Sequence, residues 1–388
     1  MGFLSQFDAF HERATQAAGG LTDFGTADYQ EPLKILLGDY DKYTRFSDIG
    51  RQSIEGEVVG NLVGRLVEEQ QFKDMPQHLQ TPITRPIFMV GMTRTGTTKL
   101  QHLISLDPAM QWLPLWLGAM PMPRPKRETW DDYPAYRQVK QAFDLMDQMN
   151  PRIRQIHPMI ASEPDECHTA MTRSYVTASL SSLAVVPTYS EWLKTADRRP
   201  AYRRYRKTLG LIAAGNNNRW VLKDPTHLWS IPALLDVFPD ACLIITHRDP
   251  AKTIPSIISL VYEVRKLREP DLKPEDIGKF FVPYWGFAMD RTEEERTRFN
   301  PAQVIDLHFN DVIGDPMGSL ERVYDYFGFP ISDHARANWA QSIRDDRSGG
   351  RNPAAITPEQ FGSTRDEIHR CVGRYMDRFR AMEAVQKR

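Results

Sequence analysis

Three cysteines in 388 residues, Cys167, Cys242 and Cys371, stand far apart and form no C-x-x-C pair. That removes a disulfide framework and a zinc-ligand pattern together. An excess of charge of either sign is missing too. With 49 Lys and Arg against 50 Asp and Glu, there is no basic field of the kind that draws nucleic acid, and no nucleic-acid partner is expected. No run of roughly 18 apolar residues exists to span a bilayer. The start, Met1 to Asp8, has neither the basic stretch nor the apolar core of a secretion signal, and Gln6 stands where N-myristoylation needs Ser or Thr. A cytoplasmic chain is the expectation. Internal repeats, low-complexity tracts and clear linkers are also lacking, and the length is ample for a large core.

What the chain does have is a stretch from Pro86 to Leu100, Pro-Ile-Phe-Met-Val-Gly-Met-Thr-Arg-Thr-Gly-Thr-Thr-Lys-Leu. Its apolar run Ile87 to Val90 is short and β-prone, Gly91 and Gly96 punctuate a polar turn, and a helical spacing of apolar residues resumes from Thr97 to Ile104. A strand, a turn and a helix N-terminus aim unpaired backbone N–H groups and the positive end of the helix dipole at one point. That suits a phosphate or sulfate. The spacing nearly satisfies the nucleotide-triphosphatase pattern G-x-x-x-x-G-K-[ST], but Thr97 replaces the lysine and the loop's cation is Arg94. A Mg-dependent NTPase is thereby disfavoured. An ordinary Gly/Thr turn is the alternative.

Residues 1–80 show helical spacing, with breaks expected at Gly19-Gly20 and Asp48-Ile-Gly50 and an end at Asp74-Met-Pro76. Further strands are expected at Trp220–Lys223, Ala241–Thr246 and Val304–Leu307, each followed by helical spacing at Ser230–Val237, Pro255–Leu267 and Met317–Phe327. Strands alternating with helices predict an α/β fold with a parallel sheet covered on both faces, whose ligands sit outside the strand C-termini. The run Asp290–Arg298 reads as a solvated helix face. A final helix is expected from about Arg365 to Glu383. The organisation expected is a single domain over 1–388. It comprises a helical lobe (1–80), an α/β core (84–330) with a helical insertion at about 120–218, and a C-terminal lid segment and helix (340–388).

Two other stretches are rich in chemistry. Trp112, Trp116, Met120, Met122 and Trp130 form an aromatic and thioether cluster that either packs internally or lines an apolar pocket. Ser162-Glu-Pro-Asp-Glu166 reads as a helix N-terminus favoured by its acids, with a direct chemical part for Glu163, Glu166 and His168 as the alternative.

Arg94-Thr-Gly-Thr-Thr98 after one strand and Arg248 with Ser256 eight residues on after another make two separate anion features. In this the chain resembles the sulfotransferases that use 3′-phosphoadenosine 5′-phosphosulfate (PAPS), most closely the bacterial branch, over roughly residues 84–330. The wording from Leu222-Lys-Asp-Pro-Thr-His-Leu228 to His247-Arg-Asp-Pro250 carries the likeness to that branch. The resemblance implies a P-loop NTPase-like central sheet with helical insertions for the acceptor. It implies PAPS as co-substrate, adenosine 3′,5′-bisphosphate as product, and no metal. Arg94, Thr95, Gly96, Thr97 and Thr98 would hold the 5′-phosphosulfate, and Arg248 with Ser256 the 3′-phosphate. Lys223 would reach the bridging oxygen, with a phosphate contact or a salt bridge to Asp224 as its alternatives. His227 is the candidate base, or else a capping or core histidine. The Lys–His spacing here is four, where the animal cytosolic enzymes have two, so the roles do not transfer as a unit. Arg347 and Arg351 are candidate lid contacts.

The function expected is transfer of a sulfuryl group to a hydroxyl of an apolar small molecule or lipid, a hydroxylated menaquinone among the options. Contact with a membrane surface is left open by that reading. A P-loop kinase using Mg-ATP and a non-catalytic nucleotide-binding regulator are the alternatives, and oligomeric state is not legible.

Overall fold

A computed structural model of the chain describes residues 1–346 and 356–386. Arg347 and Arg351 lie outside the described residues. The chain divides into two compact units, Met1–Ile83 with Pro114–Asn217 and Val261–Leu272, and Thr84–Leu113 with Asn218–Leu260 and Lys273–Arg388.

In the first unit the helices Phe7–Ala17, Gln30–Tyr43 and Asp48–Asp74 follow the expected spacing, and Gly19 and Gly20 both adopt positive φ at the first break. The second break lies just before Asp48-Ile-Gly50. Ser47 caps the long helix by accepting from the Gly50 N–H at 3.0 Å, which turns those residues into its first turn. Trp116 and Trp130 are buried edge to face, with ring centroids 5.5 Å apart and Tyr136 against both. Trp116 and Trp130 are therefore core of this unit, worth roughly 1.5–3 kcal/mol per large side chain buried, whereas Met120 is exposed, Met122 is half-buried and Trp112, also half-buried, belongs to the second unit. Among the described residues no helix is long and apolar enough to cross a membrane.

The second unit is built on a five-stranded parallel sheet: β1 (Ile87–Gly91), β2 (Met110–Trp112), β3 (Arg219–Lys223), β4 (Cys242–His247) and β5 (Val304–His308), in the order β2-β3-β1-β4-β5. The α/β class expected from the alternation of strands and helices is the one observed. Side chains alternate between faces as the pleat requires. Ile87 and Met89, with Ile244 and Leu307, face a core completed by Leu100, Leu103 and Ile104 of the helix Thr97–Ser105, by Leu320, Val323 and Phe327 of Pro316–Phe327, and by Trp339 of Asp333–Asp345. Phe88 packs on Phe238 at 5.2 Å. β2 was not anticipated. Three residues carry no readable period, and its pairing with β3 through Met110↔Arg219 and Trp112↔Val221 is set by tertiary context.

The topology points to one place for a ligand. β1 connects toward the β2 edge and β4 toward the β5 edge, so these adjacent strands part company at their C-terminal ends, which is where open α/β sheets hold ligands. Their pairing runs in register from Ile87↔Cys242 to Gly91↔Thr246, which brings both ends level.

Candidate anion-binding site at the ends of β1 and β4

Thr97–Ser105 begins directly after Gly96, which takes φ +91° and provides no side-chain cap. The first amides of that helix thus have no side-chain acceptor of the usual kind. A Cβ on Gly96 would lie 3.0 Å from Val312 Cγ1, so both its backbone and its surroundings strain a larger residue. Arg94 also sits at positive φ, +65°, which costs a non-glycine residue roughly 1–3 kcal/mol. Its side chain is exposed while Thr95 and Thr97 are buried; Thr98 is exposed. The Thr93 hydroxyl oxygen is buried with no hydrogen-bond partner among the described residues. An anion held by amides and hydroxyls fits such a cradle.

Two bonds tie this loop to the end of β4. Thr95 donates its hydroxyl proton to the Met92 carbonyl at 2.6 Å, so at the equally short contact between Thr95 Oγ1 and Thr246 Oγ1 it is Thr246 that donates. Arg248 Nη1 donates to the Arg94 carbonyl at 2.8 Å, and its guanidinium lies over the Phe309 ring at 3.8 Å from the centroid. Burial first, and then the neighbouring Arg94 charge, lower the Arg248 pKa. Two guanidinium groups held where each raises the other's energy are eased by an anion. Ser256 is buried further along the helix Pro250–Arg265.

Behind Arg248 stands a network the sequence reading did not anticipate. His247 is fully buried, and its Nε2 meets Asp306 Oδ1 of β5 at 2.7 Å. Arg296 donates to both oxygens of Asp306, at 3.0 and 2.6 Å. Burial alone would raise the Asp306 pKa, but the His247 bond and then Arg296 hold it down at about 2. The run Asp290–Arg298 is therefore not simply a solvated face. The helix Pro274–Glu295 buries Phe281, Trp285 and Met289, and Glu293 and Arg296 at its end are 8% and 15% exposed, paired to each other at 3.3 Å.

Lys223 and His227 belong to the same unit. Lys223 ends β3, paired in register with Met89 of β1, and is buried. Asp224, fully buried, caps the short turn Pro225–Trp229 by accepting from the Thr226 N–H at 2.7 Å. His227 lies in that turn at 0% exposure, edge to face with Phe88 at 5.3 Å. Glu163, Glu166 and His168 belong to the first unit, where Glu163 meets Arg127 at 3.4 Å and Glu166 meets His168 at 3.3 Å. The helix expected to start near Ser162 runs only over His168–Met171, with Cys167 at its N-cap and no side-chain cap. Pro164 in the middle of the expected turn instead bridges Pro114 in an antiparallel contact.

The profile of the sulfotransferase family matches residues 86–333. The chain is 27% identical over 313 residues to the omega-hydroxy-beta-dihydromenaquinone-9 sulfotransferase Stf3 of Mycobacterium bovis, covering 75% of this chain and 74% of that protein. Among solved structures it is similar to sulfotransferase STF1 from Mycobacterium tuberculosis, with a TM-score of 0.85 and 35% identity over 94% of this chain and 97% of the other. Sulfotransferase STF9 from Mycobacterium avium superposes with a TM-score of 0.87 at 25% identity, covering 96% of each chain.

Proposed function

This chain belongs to the sulfotransferase family and is an enzyme, and on that premise we propose that it transfers the sulfuryl group of PAPS to a hydroxyl of an apolar or lipid acceptor. One observation carries the donor reading. Two cationic loops leave adjacent parallel strands, tied by the Thr95–Thr246 and Arg248–Arg94 bonds. A nucleotide with phosphates at both its 5′ and 3′ ends needs two such sites at a fixed separation.

In this proposal Arg94, the amides that follow Gly96 and the hydroxyls of Thr95, Thr97 and Thr98 hold the 5′-phosphosulfate. They oppose the charge that builds on the departing phosphate. Arg248 and Ser256 hold the 3′-phosphate. The acceptor oxygen attacks sulfur in line as the bond from sulfur to the bridging oxygen breaks, and adenosine 3′,5′-bisphosphate leaves. Lys223 meets the charge on that oxygen, and His227 takes the acceptor proton. The acceptor class follows the menaquinone derivative on which the 27% identical relative acts, and a cytoplasmic setting with access to a membrane surface accompanies it.

The test is calorimetric titration with adenosine 3′,5′-bisphosphate in the absence of magnesium. Tight binding that is lost in Arg248→Ala is expected, and binding of Mg-ATP in its place would refute the donor. Incubation with labelled PAPS and a lipid extract should then label a lipid. For His227, enclosed in the free protein, the discriminating variant is His227→Gln. A fall in kcat of about 100-fold or more with unchanged donor affinity supports the base, whereas a lowered melting temperature with kcat retained makes it a core residue.

A further inference from the structure

The loop that carries Arg248 is held by an element more than a hundred residues away in sequence. The helices Arg365–Cys371 and Gly373–Gln386 reach residues 247–249 through three side chains. Tyr375, 6% exposed, uses its single hydroxyl twice. It accepts from the Arg248 N–H at 3.3 Å and donates to the Arg248 carbonyl at 3.2 Å. Its ring stacks on His247, with centroids 5.5 Å apart and planes 23° from parallel. Asp249 accepts from His369 Nε2 at 2.7 Å and from Arg365 at 3.1 Å, and from the Ala251 N–H at 3.0 Å.

A residue bonded at both its N–H and its carbonyl has little freedom to rotate about φ and ψ, and the direction of its side chain is fixed at the root. For Arg248 the far end is fixed as well, by the Arg94 carbonyl and the Phe309 face. Burial raises the Tyr375 pKa well above the ordinary phenol range, so the hydroxyl keeps the proton it donates. The helix pair also has packing of its own, since Tyr375 N–H donates to Asp290 at 3.1 Å and Arg378 pairs with Glu293. Loss of the hydroxyl alone therefore leaves the helices docked.

We propose that this C-terminal helix pair is the positioning element of the 3′-phosphate arginine, with Tyr375 and His369 as its positioning residues. The proposal rests on the donor reading above, which makes Arg248 that arginine. Neither residue touches the nucleotide; both act through the backbone and neighbour of Arg248, and their effect is selective for a ligand with a 3′-phosphate.

The experiment titrates the full chain with adenosine 3′,5′-bisphosphate and with adenosine 5′-phosphate and reads the ratio of the two affinities. Tyr375→Phe removes two hydrogen bonds and keeps the ring, so the ratio should fall about tenfold while 5′-phosphate affinity stays within about twofold. His369→Ala should lower the ratio about threefold, and His369→Gln, which restores an N–H toward Asp249, should recover most of it. In the Arg248→Ala background Tyr375→Phe should change nothing further. A ratio that holds in Tyr375→Phe and in His369→Ala but collapses in Arg248→Ala overturns the proposal and leaves the donor reading standing. A ratio that holds in Arg248→Ala overturns the donor reading itself. Equal losses for both nucleotides in Tyr375→Phe would make the pair a fold element and overturn the proposal as well.

Discussion

Asp306→Asn is the perturbation whose size the structure lets one work out. The carboxylate lies between His247 Nε2 at 2.7 Å and the two Arg296 nitrogens at 2.6 and 3.0 Å. Burial opposes ionisation there, but these partners win and bring its pKa from 3.8 to about 2. A gap of about 1.8 pH units, at about 1.36 kcal/mol each, corresponds to roughly 2.4 kcal/mol of stability. Because the side chain is 25% exposed, about 2 kcal/mol is the working figure after screening. The folded pKa is depressed, so the contribution is complete above the unfolded value of 3.8 and is lost as pH falls through about 2. Urea unfolding followed by tryptophan fluorescence at pH 7, 5 and 3 measures it in wild type and variant. The expected deficit of the variant is about 2 kcal/mol at the two higher values and about half that at pH 3. A deficit under about 0.5 kcal/mol at pH 7, or one that does not shrink by pH 3, would refute the reasoning.

Gly96→Ala combines a left-handed φ of +91° with a Cβ 3.0 Å from Val312. The strain of roughly 1–3 kcal/mol falls on the cradle itself, so bisphosphate affinity should drop about tenfold or more by titration; an unchanged affinity would show that the turn is not part of the site. Thr95→Val and Thr246→Val each leave a buried oxygen or carbonyl with one partner fewer. In a double-mutant cycle read by thermal melting they should couple by about 0.5–1.5 kcal/mol, and additive effects would mean the bridge between the loops contributes nothing.

How much of this was legible depends on what kind of pattern each part leaves. β4 is a run of six buried residues from Cys242 to His247, of which Cys242 to Ile245 give the apolar letters that a strand covered on both faces calls for. Helix ends were legible to within a few residues where glycine or proline marked them, as at Gly19 and Pro76. The expected helix from Arg365 to Glu383 is two, broken at Val372 in a non-helical conformation directly before Gly373, a glycine mark that the expectation of one helix passed over. Arg94, Thr95 and Arg248 could be singled out as candidates because anion loops carry a local spacing. The Asp306 and Tyr375 contacts could not, because each joins residues 59 or 127 apart in sequence. An aspartate inside a strand carries no mark that says it pairs with a histidine 59 residues away on the neighbouring strand.

The absent P-loop lysine has a structural counterpart. In that pattern the cation stands on the same helix as the amides, so one local segment assembles the whole anion site. In this chain Thr97 at that place is 6% exposed, and the second cation arrives from the next strand over. Its approach is possible because Gly91 has no side chain: a Cβ there would run into the Thr246 hydroxyl and lie 3.0 Å from the Thr246 carbonyl. In the proposed site the charge would therefore be set by how β1 and β4 pair. Gly91, Thr95, Thr246 and Arg248 form one device spread over two strands, and the helix pair that fixes Arg248 from behind completes it.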